Sequence, residues 1–439
     1  MKRSLICCLI LFTAVSLTAA RAELSLKQSI EIALAQSPLV LKARFEVEAA
    51  EGGAGQAFAG FLPQLSLSGG LGKYYSEPQT MQVSVGGVPQ TFIMGTDEQA
   101  DSNSLQASLS QAIFTGGKLS NSLGMANKRL AAAKQELKRV GEEVRFNVIN
   151  GYFSVVTAQK MVELSNQSLE MAGKHMDRIK AMLQVGMSTK ADLLRTEVQQ
   201  AKAEIGLTRA KQGLEIARNS FNNALGRELS SNVDLAEVEY NTANIKVYSD
   251  EELQRIAFSE RPDWQQFQLA KQISADEVGL AYSDLWPMVS LVGQYDVGST
   301  KYSSYQIDLK TWTALISASW NIFDGTATWN RIKQARAKLS AQQADELQVR
   351  RGIELEIRDA NFTLKSAIEN LASTAKAEEL ADENYRIAGL RYDSGVGTNL
   401  EVIDAQVSLT QARTEQLQAK HDLQIAQARL NKLIGHNIY

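Results

Sequence analysis

The chain repeats itself. Ser37-Pro38 has a counterpart in Arg261-Pro262, and Phe61-Leu62-Pro63-Gln64-Leu65-Ser66-Leu67 in Leu285-Trp286-Pro287-Met288-Val289-Ser290-Leu291, both at an offset of 224. Farther on, Ile113-Phe114-x-Gly116 matches Ile322-Phe323-x-Gly325, Gly186-x-x-Thr189 matches Gly395-x-x-Thr398, and Asn222-x-x-Leu225-Gly226 meets Asn431-x-x-Ile434-Gly435, all at 209. The change of offset falls between Pro63 and Phe114, so everything from Phe114 to Gly226 aligns with Phe323 to Gly435 without a gap. Rigid elements impose such spacing, because one inserted residue turns a helix face by about 100°. The fold must therefore present one plan twice. The expected units are residues 23–226 and 249–435, joined by a linker at 227–248 and followed by a tail at 436–439.

Each repeat reads as two strands followed by a long helical hairpin. Leu65, Leu67, Leu71 and Tyr75 share one parity, against Gln64, Ser66 and Ser68. Leu105, Ala107 and Leu109 alternate with Ser104, Gln106, Ser108 and Ser110. In the second repeat Trp312, Ala314, Ile316, Ala318 and Trp320 alternate with Thr313, Ser317, Ser319 and Asn321. Period-two alternation marks strands with one apolar and one polar face. The extra stretch of the first repeat, around Val83 to Asp101, is rich in Gly, Gln and Ser and reads as a loop, with a counterpart near Gly298–Ile307.

From Lys118 to Gln184 no proline occurs, and Val140, Val144, Val148, Tyr152 and Val155 recur at helical spacing. Such a helix would be roughly 100 Å long. It breaks at Gly186 and returns through Lys190 to Leu225, about half as far. The helical segment from Pro38 to Leu62 supplies the missing length if it stacks on the returning helix. A heptad seam is expected along Leu400, Ile403, Val407, Thr410, Thr414, Leu417 and His421. Its earlier copy is Ala191, Leu194, Val198, Ala201, Ile205 and Thr208.

The N-terminus reads as an export signal. Lys2 and Arg3 precede an apolar run from Leu5 to Val15, and Ala20-Arg21-Ala22 is a cleavage signal, so residues 1–22 are expected to be removed. Both cysteines, Cys7 and Cys8, fall within that segment. Loss of Lys2, Arg3 and Arg21 takes 46 basic residues to 43 against 49 acidic ones. With no basic stripe, nucleic acid is not an expected partner. No later stretch is apolar for long enough to cross a bilayer as a helix. An exported chain of this kind is soluble or a β-barrel protein. Four strands cannot close a barrel, and an open edge in lipid leaves backbone groups unpaired. Two copies would give eight strands and three would give twelve.

Leu62-Pro63-x-Leu65, Tyr392-x-x-Gly395-Val396-Gly397-Thr398, and Leu225-Gly226 with Ile434-Gly435 resemble the TolC-like outer-membrane efflux channels, in this order and over essentially the whole chain. The resemblance implies an α+β membrane protein: a trimer whose twelve-stranded β-barrel, four strands per chain, continues into a long α-helical barrel in the periplasm. It also implies an exit duct for efflux or type I secretion that meets a periplasmic adaptor and, through it, an inner-membrane pump. Glu401 and Asp404 then fall in line with the acidic pair at the tunnel entrance. A ring of six carboxylates there would attract cations. Asp192, Tyr392 and Asn399 match positions where the family holds adjacent helix pairs closed, although the family often has an arginine where this chain has Asn399. Gly186, Thr189, Gly395, Gly397 and Thr398 match the hairpin tips that contact the adaptor.

Enzymatic motifs are missing. His175, His421 and His436 have no metal-ligand spacing, and no phosphate loop or His-Glu-x-x-His occurs. Gly395-Val396-Gly397 reads as a turn between helices, and Trp286 beside Pro287 as a membrane-interface aromatic. No cofactor and no catalytic or metal site is expected. The rival reading is a soluble periplasmic coiled-coil scaffold or adaptor, which would carry one helical hairpin between compact β domains.

Overall fold

The computed structural model describes residues 23–94, 97–231, 234–236, 245–303 and 305–436. The expected leader, with Cys7 and Cys8, and residues 437–439 lie outside the described residues. The elements run α1 (Leu26–Gln36), α2 (Pro38–Ala59), β1 (Gln64–Ser76), β2 (Gln79–Val85), β3 (Val88–Met94), β4 (Glu98–Phe114), α3 (Lys118–Gln184) and α4 (Lys190–Leu225). They continue with α5 (Asp250–Glu260), α6 (Pro262–Ser283), β5 (Met288–Lys301), β6 (Gln306–Ser319), α7 (Ala327–Asp393) and α8 (Asn399–Ile434). Helices of 11, 22, 67 and 36 residues thus occur twice, in the same order. Two compact units cut across this duplication. One gathers residues up to 41, 140–257 and from 356 onward; the other gathers 42–139 and 258–355.

The second of these units holds an antiparallel sheet in the order β1-β4-β5-β6. Register places Leu65 opposite Leu109, Ala107 opposite Tyr295, and Tyr295 opposite Trp312, so one face is apolar from strand to strand. That face is uncovered: Leu65, Leu67, Leu71, Trp312 and Ile316 are all exposed. The other face is polar and cross-linked. Ser66 and Ser108 share a 2.7 Å hydroxyl contact, and Gln106 Nε2 donates to Asp296 Oδ1 at 2.8 Å. Within the sheet, β1 and β6 each have one strand neighbour, leaving two edges of unpaired backbone.

The expected loop at Val83–Asp101 is corrected. β2 and β3 form their own antiparallel hairpin around Gly86-Gly87, both at positive φ (64° and 82°), and β4 already begins at Glu98. Thr, Val, Phe and Ile pair well across strands, and a Gly-Gly turn matches strand twist; the Gln and Ser between them masked that signal. The counterpart connection shrinks to residues 302–305, where Tyr302 and Tyr305 stack at 4.5 Å.

The first unit is helical. Tyr152 and Phe221 are fully buried, edge to face at 5.9 Å, and Gly151 admits the Phe221 ring, since a Cβ there would lie 3.1 Å from it. The Tyr152 hydroxyl donates to the Ala236 carbonyl at 2.9 Å, where Leu24 and Leu235 form a parallel bridge. Gly226, left-handed at φ 72°, ends α4 against the junction of α1 and α2; a Cβ there would meet the Gln36 carbonyl at 3.3 Å.

Within one chain the heptad seam of α8 is not the buried stripe. Leu400 and Val407 are exposed, and so are Leu194, Val198 and Ile205 of α4. The buried stripe of α8 is the neighbouring one: Val402, Ala405, Gln406, Leu409, Ala412, Gln416, Ala419 and Leu423. Ala405, Ala412 and Ala419 share this interior with Val402, Leu409 and Leu423.

Candidate functional site

The two helix-hairpin turns and the helix ends beside them carry the candidate entrance and tip residues. Each connects its helices in five residues, and each has a left-handed glycine as its second residue, Gly186 at φ 74° and Gly395 at φ 73°. Residues with positive φ end helices by turning spare amides back onto the last carbonyls. Met187 N–H reaches the Met182 carbonyl at 2.8 Å, and Val396 and Gly397 N–H both reach the Arg391 carbonyl at 3.0 Å. Gly397 is required sterically, because a Cβ would sit 2.9 Å from the Tyr392 amide nitrogen.

Threonine restarts each helix. Thr189 caps α4 in a reciprocal box with Asp192, whose Oδ2 accepts from the Thr189 hydroxyl at 2.6 Å. Thr398 accepts from the Glu401 amide at 3.2 Å. Asp192 and Glu401 occupy equivalent positions in the two repeats, yet Glu401 turns away from its cap and lies 3.6 Å from Arg391 Nε. Asp404 follows one turn on. Both carboxylates are exposed, while Val402 and Ala405 pack against Ala388, Tyr385 and Tyr392.

Asn399, at the first turn of α8, is buried and joins three helices. Its Nδ2 donates to the Asp192 backbone carbonyl at 3.2 Å and to Asp192 Oδ1 at 3.3 Å. Its Oδ1 lies 2.7 Å from Nε2 of His175 on α3. The His175 ring meets Tyr392 edge to face at 5.9 Å, and Arg178, one turn farther along α3, pairs with Asp393 at 2.7 Å. Burial pushes the His175 imidazole below its ordinary pKa, against the opposing pull of the Asn399 bond. The Thr189 hydroxyl, helped by Asn399, holds the Asp192 carboxyl below the usual range. Burial raises the Tyr392 phenol.

Asp192, Tyr392 and Asn399 are therefore brought into one cluster, and Glu401 and Asp404 onto an exposed helix face beside it. His175, Arg178 and Asp393 are members that sequence reasoning missed. The repeat held a signal for them: His175 aligns with Asn384 and Arg178 with Ile387, so chemistry diverges where backbone spacing does not. His421 contacts Thr157 Oγ1 at 3.2 Å, away from these turns in sequence and on the α3–α8 seam. Among the described residues, no three His, Cys, Asp or Glu side chains gather as a metal site, and no helix is long and apolar enough to cross a membrane.

Comparison with known proteins agrees across the chain. The family described as "Outer membrane efflux protein" matches residues 29–227 and 253–436. Protein CyaE of Bordetella pertussis is 23% identical over 412 residues, covering 94% of this chain and 83% of the relative. The cobalt-zinc-cadmium resistance protein CzcC of Cupriavidus metallidurans is 23% identical over 370 residues, covering 82% and 84%. Among solved structures, CusC superposes with a TM-score of 0.79 at 18% identity, covering 94% of this chain and 93% of CusC. VceC of Vibrio cholerae superposes at 0.78 and 18%, covering 94% and 97%.

Proposed function

We propose, from the premise that the chain belongs to the outer membrane efflux protein family, that three copies close one twelve-stranded barrel and that the two hairpin turns form the periplasmic entrance of its duct. The protein is an outer-membrane channel subunit, the exit duct of an efflux or secretion system, and not an enzyme. Channels of this family work with adaptor partners.

The observation that carries the closed assembly is the sheet itself: four strands, two open edges, an uncovered apolar face and a polar face linked by hydrogen bonds; the count of three follows the family. Lipid solvates the first face and water the second, but nothing in a bilayer satisfies an open edge. Joining β6 of one copy to β1 of the next removes every edge. The exposed aliphatic rows on α4 and α8 favour the same assembly, since neighbouring copies would cover Leu194, Val198, Leu400 and Val407. In this reading the lipid of the outer membrane surrounds the sheet.

At the entrance, the Asp192–Asn399–Tyr392 cluster holds the two hairpins of one copy together. Glu401 and Asp404 line the opening as a cation-attracting ring. The tips at Gly186, Thr189, Gly395, Gly397 and Thr398 receive the adaptor, which leads to an inner-membrane pump. Native mass spectrometry in detergent and single-channel recording test this together. A trimer mass is expected, and Asp192→Ala or Asn399→Ala should raise conductance. A monomer or dimer would overturn the assembly, and unchanged conductance in both variants the entrance.

A further inference from the structure

His175 is buried beside the amide of Asn399. Asn399 has one amide, and its orientation follows from its neighbours. The Asp192 carbonyl and carboxylate, both acceptors, claim Nδ2, and Thr196 Oγ1 stands near it at 3.5 Å. Oδ1 is thereby left facing His175, and the 2.7 Å contact requires the imidazole to donate its Nε2–H. His175 thus points the amide at Asp192. A polar bridge runs from α3 through α8 to α4, and its direction is set at the histidine end.

We propose that His175 is the positioning residue of the clasp between the two hairpins, and that adding a second proton to its ring releases the clasp and opens the entrance. This rests on the reading of the hairpin turns as the entrance. A proton added at Nδ1 keeps the Nε2–H donation to Asn399, which favours it, but places a cation in a pocket that leaves the residue 6% exposed, and the lost water outweighs that bond. The charged and titratable groups around the ring do not make up for that loss. On α3, the Arg178 guanidinium repels it. On α7, the Asp393 carboxylate attracts it but is already committed to Arg178 at 2.7 Å. On α4, the Asp192 carboxylate is held by Thr189 and reaches the ring only through Asn399. On α8, Glu401 lies toward Arg391. A charged imidazole gains more from water than from this site, so acid favours the separated hairpins.

The test is single-channel conductance of the purified, full-length channel between about pH 7.5 and about pH 5, above the range where carboxylates titrate. Wild type should be mostly closed at the upper limit. Its open-to-closed ratio should then rise by up to roughly tenfold per pH unit per copy below about pH 6.5. His175→Gln keeps an amide donor for Asn399 and cannot titrate, so it should stay closed across the range. His175→Ala leaves Asn399 Oδ1 without its donor and should open roughly tenfold more often at every pH. A His175→Gln channel that keeps the wild-type acid response, or a His175→Ala channel that stays closed, would overturn the proposal. Asp192→Ala and Asn399→Ala separate the two readings. If neither opens the channel, the entrance reading falls and this proposal with it; if both open it while His175→Gln still responds to acid, this proposal alone fails.

Discussion

Gly117 and Thr326 occupy equivalent positions in the two strand-to-helix turns, and both hold positive φ, 90° and 73°. The backbone path is the same, but only glycine takes it without a clash of its own side chain. A β-branched residue there stores on the order of 1 kcal/mol of strain. Thr326 recovers a little through Asn330, whose Nδ2 reaches its carbonyl at 3.1 Å and its hydroxyl at 3.4 Å. Thr326→Gly should therefore raise stability by about 1 kcal/mol, and Gly117→Thr should lower it by at least as much. Thermal dissociation of the detergent-purified oligomer reads both. A Thr326→Gly protein that melts earlier would show that the threonine contacts outweigh the strain.

Glu401 and Asp404 share one exposed face of α8 and lie one turn apart, with Arg391 beside Glu401. If the three copies bring these faces to a common axis, their field acts directly on passing ions. Glu401→Ala with Asp404→Ala should reduce cation preference several-fold in planar bilayers and weaken block by multivalent cations. Wild-type selectivity in the double variant would place the constriction on other residues.

The Gly86-Gly87 turn of the β2–β3 hairpin has open space around both glycines, and residues 79–94 carry no charge. Only the first repeat has this hairpin, at the end of the sheet opposite Pro63. An epitope inserted between Gly86 and Gly87 should be labelled on intact cells with the oligomer preserved. Labelling that appears only after permeabilisation would invert the orientation of the sheet in the membrane.

Acid should weaken the fold in two separate windows. His175 and His421 are both held below the ordinary histidine value of 6.5 by burial, so the unfolded chain binds more protons below that pH. Their contribution is complete above about pH 6.5 and is lost as pH falls through their folded values. Asp192 is held below its ordinary 3.8, so its contribution persists through that window and is lost only at stronger acidity. Melting temperature followed from about pH 7 to about pH 5 should decline in wild type, and less steeply in His175→Gln. An equal slope in both would remove His175 from the first window.

Local chemistry was legible in the chain alone. The gapless match from Phe114 to Gly226 set two identical helical hairpins, because a helix face tolerates no insertion. Gly186, Gly395, Thr189 and Thr398 named their turns, because left-handed backbone and helix caps are properties of single residues. Alternation from Leu65 and from Trp312 named the strands and their two faces. Tertiary structure decided what depended on partners distant in the chain. It turned the expected loop at Val83–Asp101 into a paired hairpin, which no single strand specifies. It also placed the buried stripe of α8 along Val402, Ala405, Gln406 and Leu409 rather than along Leu400 and Val407, because the neighbouring helices, and not the heptad spacing, select which face is covered. His175 and Asn399 are far apart in the chain, and only the packing of α3 against α8 brings an ordinary histidine to 2.7 Å from the amide it orients.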